Sequence, residues 1–507
     1  MERAPPRASR RHRAAACAVA AGAGLMRAVA LIAAGMLSAC SLAPAYVRPA
    51  SPIPPSWPAG DAYLAQREAA LPSLTYRQLF GDPRLQAVIA QALDNNRDLR
   101  IAVADIAQAR AQYRIQRAAL LPELDASANY TRSYRGKGAG AAPLAASAQD
   151  ASADARAQGD ASNYTVGIGV SAFELDLFGR VRALTAAAQQ RYLEQASAAR
   201  ATRLTLVGDI ATAWLTYASD RSLLKIAQDT AHSADASVAL IRQRVDGGIT
   251  PHSDLDQVNQ VLHTAQSDLA EQTTAMAQDI NALQLLVGGP VDPALLPESI
   301  QDAAARIGEL PAGLDSGILL RRPDVVQAEY ELRAVNAQIG AARAALFPRI
   351  SLTGLLGLTS TALSELFAHA AFNRSVGAGA SAAIFDAGAA RANVRYTEAQ
   401  RDAALASYEK TVQTAFSEVA DALARRGTID AQLRAQQSLV ADSASTYQYS
   451  EQRYRVGVET SLSNLDAQRS YYAAQRSLVA VELVAAVNRV TLYRTLGGDA
   501  TLETVQR

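Results

Sequence analysis

The sequence predicts an α+β membrane protein built as an internal tandem repeat, in which strand pairs alternate with very long helical hairpins. Three observations carry that expectation. Motifs recur at constant offsets, four segments alternate with period two, and two proline-free stretches are far longer than a globular core needs.

An internal repeat governs the assignment of every other element. Asn96-Arg97-Asp98-Leu99 and Ala118-Ala119-Leu120-Leu121-Pro122 return as Arg322-Pro323-Asp324-Val325 and Ala344-Ala345-Leu346-Phe347-Pro348, an offset of 226 (322 − 96). The run from Val166 to Ala172, with Asp176, returns as Val376 to Ala382, with Asp386, at an offset of 210 (386 − 176). The halves also close alike, Gly288-Gly289 being answered by Gly497-Gly498. The shortfall between the offsets is an insertion between Pro122 and Val166, where the loop 135–162 is small, polar and aperiodic and reads as exposed. Repeats at 79–289 and 319–498 follow, with an equatorial linker at 290–318 and a tail at 499–507.

Each of the four alternating segments has one apolar and one small or polar face. Leu124, Ala126, Ala128 and Tyr130 oppose Asp125, Ser127, Asn129 and Thr131, and Tyr164, Val166, Ile168, Val170 and Ala172 oppose Thr165, Gly167, Gly169 and Ser171. In the second repeat Ile350, Leu352, Leu356 and Leu358 oppose Ser351, Thr353, Gly357 and Thr359, while Val376, Ala378, Ala380 and Ala382 oppose Ser375, Gly377, Gly379 and Ser381. Runs of about ten residues can cross a bilayer as tilted strands. Four strands close no barrel by themselves, and an open sheet edge cannot sit in lipid, so several chains must pool strands.

The remainder reads as helix. Gly179 to Gly248 and Gly388 to Gly457 each span 69 residues without a proline; at about 1.5 Å per residue each could reach roughly 100 Å. Leu204, Val207, Ala211, Trp214 and Ala218 keep a and d spacing, as do Val412, Phe416, Val419 and Leu423. Shorter partners, Ser253 to Leu286 and Leu462 to Leu496, complete two hairpins that turn at Gly247-Gly248 and at Gly457.

Composition closes off other classes. A formal charge of +1 over 507 residues gives no general electrostatic case for a nucleic-acid partner. Hydrophobic residues at 49% are too many for disorder, and a mean hydropathy of -0.02 is too low for a polytopic helical membrane protein. The histidines, His12, His232, His252, His263 and His369, are scattered without metal-ligand spacing. Gly167-x-Gly169 and Gly377-x-Gly379 lie inside strands, where they avoid bulk on a lumen face, and no phosphate loop with Gly-Lys exists, so neither catalysis nor nucleotide use is indicated and no metal site is expected.

The two cysteines, Cys17 and Cys40, both fall in the first tenth of the chain. Met26-Arg27, the apolar run Ala28 to Met36 and Leu37-Ser38-Ala39-Cys40 have the form of a signal peptide over 1–39 ending in a sequence that resembles the bacterial lipobox, with Met26 as an alternative start. Cys40 would carry N-acyl and S-diacylglycerol lipid, the only attached group expected. The proline-rich segment after it opens an extended strap assigned to 40–78.

With these elements in place, the sequence resembles the TolC and OprM family of outer-membrane factors, over about Cys40 to Gly498. The motifs concerned are Phe80-Gly81-Asp82-Pro83-Arg84-Leu85 with Ala92-Leu93 and Asn96, Leu320-Arg321-Arg322-Pro323-Asp324 with Ala328-Glu329, and Arg453-Tyr454-Arg455-Val456-Gly457-Val458 through Asn464-Leu465-Asp466-Ala467-Gln468. The resemblance implies a homotrimer with four strands per chain in one shared outer-membrane β-barrel, continuous with a long periplasmic α-helical coiled-coil barrel. It is closest to the lipoprotein branch that serves resistance-nodulation-division pumps. It further implies a passive exit duct for drugs and other small toxic solutes, partnered by a periplasmic adaptor, an inner-membrane pump and outer-membrane lipid. A duct for secreted proteins is the alternative, and a lipid-tethered coiled-coil scaffold without a pore is the third reading. Carried over residue by residue, Tyr454, Glu459, Asp466 and Asp254 match the family's periplasmic gate, and Gly247, Gly248, Arg455, Val456 and Gly457 the tips that meet the adaptor. Where some members have arginine this chain has Glu459, which implies a more acidic aperture without an arginine lock at that position.

Overall fold

The computed structural model describes residues 42–63, 75–133, 161–309 and 316–498. The signal segment, Met26, Cys17, Cys40, the 499–507 tail and residues 135–160 of the inserted loop lie outside the described residues.

The chain divides into two compact units, and these do not coincide with the sequence repeats. The first comprises Met1–Tyr46, Ala111–Gln189 and Arg333–Asp402; the second comprises Val47–Arg110, Gln190–Leu332 and Ala403–Arg507. The first draws on both repeats because β2 of one repeat pairs with β3 of the other.

The first unit holds an antiparallel four-stranded sheet, β1 (Asp125–Ser133), β2 (Ala161–Leu175), β3 (Arg349–Ser360) and β4 (Phe372–Ser381), in sequence order. Registers such as Ala128↔Val166 and Val166↔Leu358↔Phe372 set the apolar residues of all four strands on one face. That face is open: Val376 is 89% exposed, Phe372 58% and Leu356 52%. The phase expected for β2 fails at one end. A register shift between Val170 and Phe173 pairs Phe173 with Leu352 and Leu175 with Ile350, so these take the apolar face in place of Ala172. The cause is the extra residue of a β-bulge, which inverts alternation beyond it. The strand glycines also serve a nearer purpose than a lumen. A Cβ on Gly357 would lie 2.9 Å from the Val166 carbonyl, and one on Gly169 2.6 Å from Leu355 Cδ2.

Strand hands over to helix in the same manner twice. Asp176 accepts the Val181 and Arg182 amides at 3.0 and 2.8 Å, and Asp386 accepts those of Gly388 and Ala390, both at 2.8 Å. A carboxylate satisfying orphan amides at a helix start is favoured by the helix dipole as well.

The second unit is helical. It contains α1 (Tyr76–Leu79), α2 (Pro83–Asn95), α5 (His252–Val287), α6 (Ile300–Ala304) and α9 (Ser461–Thr495), and shares with the first unit α3 (Arg97–Ala118), α4 (Arg180–Asp246), α7 (Pro323–Ala344) and α8 (Ala389–Arg455). The two long rods, α4 and α8, are 67 residues each. The predicted seam of α4 is buried throughout: Leu204, Val207, Ala211, Trp214 and Ala218. Trp214 Nε1 donates to the Leu295 carbonyl at 3.0 Å. In α8, Val412, Val419 and Leu423 are buried, and Phe416 stacks on Trp57 at 4.9 Å.

Trp57 belongs to the strap, which has neither helix nor strand over 42–58. Within the second unit the strap is tied by Ser316 Oγ to the Pro54 carbonyl at 2.7 Å and by the pairing of Arg48 with Glu329. The strap expected to run to 78 ends sooner. Thr75 forms a reciprocal capping box with Gln78 and starts α1, a helical turn that puts Leu79 and Phe80 into the core. Over its described residues 290–309 the linker holds α6 and the 3-10 turn Pro293–Leu295. Among the described residues no helix is long and apolar enough to cross a membrane.

Candidate functional site: the hairpin tips

Each long rod ends in a left-handed glycine, which lets the chain reverse without a Cβ clash. Gly248 has φ +70° and Gly457 φ +78°. The Ile249 amide returns to the Arg244 carbonyl at 2.8 Å and the Val458 amide to the Arg453 carbonyl at 2.9 Å. α5 then starts after Pro251 with Asp254 in its first turn, and α9 starts after Thr460, whose Oγ1 accepts the Ser463 amide at 3.3 Å.

The turns present small and apolar surface. Gly247, Gly248, Arg455, Val456 and Gly457 are all exposed. Ile249 is 75% exposed, Val456 74% and Val458 67%. Arg455 is turned back onto Glu451 at 2.6 Å.

Of the four sequence-predicted gate residues, two find partners within the chain. Arg244, in the last turn of α4, donates to Tyr454 Oη at 3.2 Å and lays its guanidinium 5.2 Å from the ring centroid. Arg453 pairs with Glu459 at 3.3 Å, so the charge of Glu459 is met by a cation six residues away. Asp254 is half-buried in its helix start and Asp466 is exposed. Among the described residues no hydrogen bond or ion pair joins any two of the four within one chain.

Sequence reasoning missed Arg244, because its relation to Tyr454 joins residues 210 apart. It missed a second link as well. Asp268 of α5 accepts from Tyr472 at 2.6 Å and from Arg476 at 2.8 Å, both on α9. Burial and the Asp268 carboxylate hold the Tyr472 phenol well above its ordinary value, so it stays a donor. The spacing of Tyr472 and Arg476 on one helix face was the available signal; nothing in the sequence supplied the partner.

The packing under the tips combines an apolar knot with polar atoms that lack partners. Ala234, Val238 and Ile241 of α4, Val258, Val261 and Leu262 of α5 and Leu465 of α9 form one cluster. Around it Thr250 Oγ1, Gln257 Oε1, Ser450 Oγ, Ser461 Oγ and Asn464 Oδ1 are buried without a hydrogen-bond partner. Unmade bonds of this kind cost stability, and here they collect at the ends of the hairpins.

A sheet whose apolar face is uncovered and two long helical hairpins related by duplication are the parts of an outer-membrane channel subunit. Comparison with known proteins names the group. Residues 88–289 and 315–498 match the outer membrane efflux protein family. The chain is 42% identical over 470 residues to the solvent efflux pump outer membrane protein SrpC of Pseudomonas putida, covering 91% of this chain and 96% of that one. It is 40% identical over 470 residues to the outer membrane protein OprJ of Pseudomonas aeruginosa, covering 92% and 95%. The crystal structure of the open state of the Neisseria gonorrhoeae MtrE outer membrane channel superposes with a TM-score of 0.80 at 31% identity, covering 91% and 99%. The chain belongs to the outer membrane efflux protein family, a family of channels rather than of enzymes, and its place is the outer membrane.

Proposed function

We propose that this chain is the passive outer-membrane exit duct of a tripartite efflux system for small toxic compounds, working as a homotrimer. The observation that carries this is the four-stranded sheet: its apolar face is uncovered and its edge strands, β1 and β4, have free edges among the described residues. Both defects are cured together when three sheets close into one lipid-facing barrel, with the helical hairpins of the three copies lining a periplasmic tunnel. The relatives' names favour small apolar cargo over secreted protein, since SrpC is a solvent efflux protein and TtgI a toluene efflux protein.

In this reading Tyr454, Glu459, Asp466 and Asp254 constrict the tunnel. The Arg244–Tyr454 contact holds the end of α8 against the end of α4 and so keeps the gate closed, and the unpaired polar atoms beneath the tips make its release inexpensive. Gly247, Gly248, Arg455, Val456 and Gly457, flanked by Ile249 and Val458, receive the periplasmic adaptor, through which a resistance-nodulation-division pump supplies the energy. Cys40 carries the lipid that tethers the strap.

The test is intracellular accumulation of a fluorescent drug panel, with toluene tolerance, in a strain lacking the protein and in the same strain complemented. Restored extrusion is the expected result. Equal accumulation in both, with the complementing protein present in the outer membrane, removes the small-molecule reading.

A further inference from the structure

The first hairpin, α4 with α5, keeps a seven-residue layer rhythm away from the tip. Ile241 and Val258 share one cluster with Ala234 and Ala265's neighbours Val261 and Leu262. Stepping one heptad back along α4 and one forward along α5 brings Ala234 to Ala265, Ala227 to Gln272 and Asp220 to Asp279. The last two layers carry polar groups where such a seam ordinarily holds apolar ones. Asp220 and Asp279 are half-buried with their carboxyls in mutual hydrogen-bonding reach. Asp279 Oδ2 is buried with no N–H donor to satisfy it, as is Oε1 of the buried Gln272.

The duplication supplies an internal control. The offset of 209 that takes Arg180 to Ala389 (389 − 180) and Gly288 to Gly497 takes Asp220 to Ile429, Gln272 to Val481 and Asp279 to Asn488. Ile429 and Val481 are buried, and Asn488 donates to the Ala422 carbonyl at 3.2 Å. The same layer of the same scaffold therefore packs without an ionisable group in the second hairpin, and packing alone does not call for two carboxyls in the first.

We propose that Asp220 and Asp279 form a proton-binding site within the first hairpin: one proton held between the two carboxyls bridges α4 to α5, and its release leaves two facing carboxylates that loosen the seam. Burial first, then the charge of Asp220 and its hydrogen bond, push Asp279 up to about 7. Burial and Glu271 raise Asp220 also. The cations on neighbouring elements are engaged elsewhere: Arg84 of α2 with Asp82 and Asp302, Arg476 of α9 with Asp268, and Arg489 of α9 with the Ile307 carbonyl. On α2, α6 and α9, Asp94 stands in the last turn of α2, Asp302 is held by Arg84, and Glu482 is bonded to Gln301.

The sign follows from linkage. The folded pair keeps its proton at pH values where the unfolded chain has lost it, so stability falls as pH rises from about 4 to about 7 and is level above. The test uses the full-length protein in detergent, read by the infrared carboxyl C=O band and by thermal unfolding across that range. Wild type is compared with Asp279→Asn and with the double variant Asp220→Ile, Asp279→Asn, which copies the second hairpin and keeps the test open if the single variant does not fold. In wild type a protonated carboxyl band persists at about pH 6 and is gone by about pH 8. That part of the band is missing from the variants, whose melting temperature is higher at the alkaline end and changes less with pH. Identical bands in wild type and the variants, or an unchanged pH slope in whichever variant folds, overturns the proposal.

Discussion

Arg322 shows how a motif residue that pointed to a family does its work through packing. It is 8% exposed, and donates to the Thr495 carbonyl at 2.8 Å, to Asp324 at 2.7 Å and to Glu418 at 2.9 Å. Burial opposes its charge; Asp324 and Glu418 more than offset that, and the guanidinium is held above its ordinary value. Arg322→Ala leaves the buried Thr495 carbonyl without its donor and should cost about 2 kcal/mol, measured as a lower denaturant midpoint. Gly288 makes the same point for backbone. Its φ is +76° and a Cβ there would lie 2.6 Å from the Asn95 carbonyl. Gly288→Ala should therefore destabilise by more than about 1 kcal/mol in the same measurement. Both residues were legible as motif members, Arg322 in the Arg-Arg-Pro-Asp run and Gly288 in the closing Gly-Gly. Their partners were not, because Glu418 and Thr495 lie 96 and 173 residues from Arg322, and only tertiary packing brings them together.

At the scale of elements the sequence was most informative where a single chemical cause sets a boundary. Proline-free stretches bounded by Gly179 and Gly248, and by Gly388 and Gly457, became helices Arg180–Asp246 and Ala389–Arg455, because glycine at positive φ is a local signal. The phase of β2 was misread at Ala172 because a bulge depends on the facing strand, which period-two counting within one strand does not see. The Arg244–Tyr454 contact was hidden for a similar reason, and it makes a graded prediction. Tyr454→Phe removes the hydrogen bond, worth about 1 kcal/mol, and leaves the guanidinium over the ring. Arg244→Ala removes both. Single-channel conductance in a planar bilayer should rise in the order wild type, Tyr454→Phe, Arg244→Ala; conductance no higher in Arg244→Ala than in wild type removes this contact from the gate. Asp268→Asn, at the second link, keeps an acceptor but weakens the charge-assisted bond from Arg476, so its conductance should lie closer to wild type.

For the whole molecule the decisive property is one that no single copy can have. Among the described residues a sheet in the order β1-β2-β3-β4 has β1 at one edge and β4 at the other, each with unpaired backbone groups, and in lipid such groups have no water to turn to. The cheapest repair joins β4 of one copy to β1 of the next, and a head-to-tail contact of that kind either closes into a ring or grows without limit. Closure at three copies makes a prediction about covalent topology. The sequence has two cysteines, Cys17 and Cys40, and none between Asp125 and Ser381, so new ones on the strands have no native neighbour in sequence. Cysteines paired across the two edges, Ser127→Cys or Asn129→Cys on β1 with Ser375→Cys or Gly377→Cys on β4, sample the unknown offset between copies. In the offset that aligns, oxidation in the outer membrane should convert the chain to a cross-linked species of three copies, with two copies as the intermediate and nothing larger on a denaturing gel. Either single-cysteine chain should give no edge-to-edge product. A ladder extending past three copies would mean that the edges pair without closing. A failure of every combination to cross-link, in protein shown to be folded in the membrane, would mean that the edges are covered by something other than a second copy, and the shared barrel would have to be abandoned.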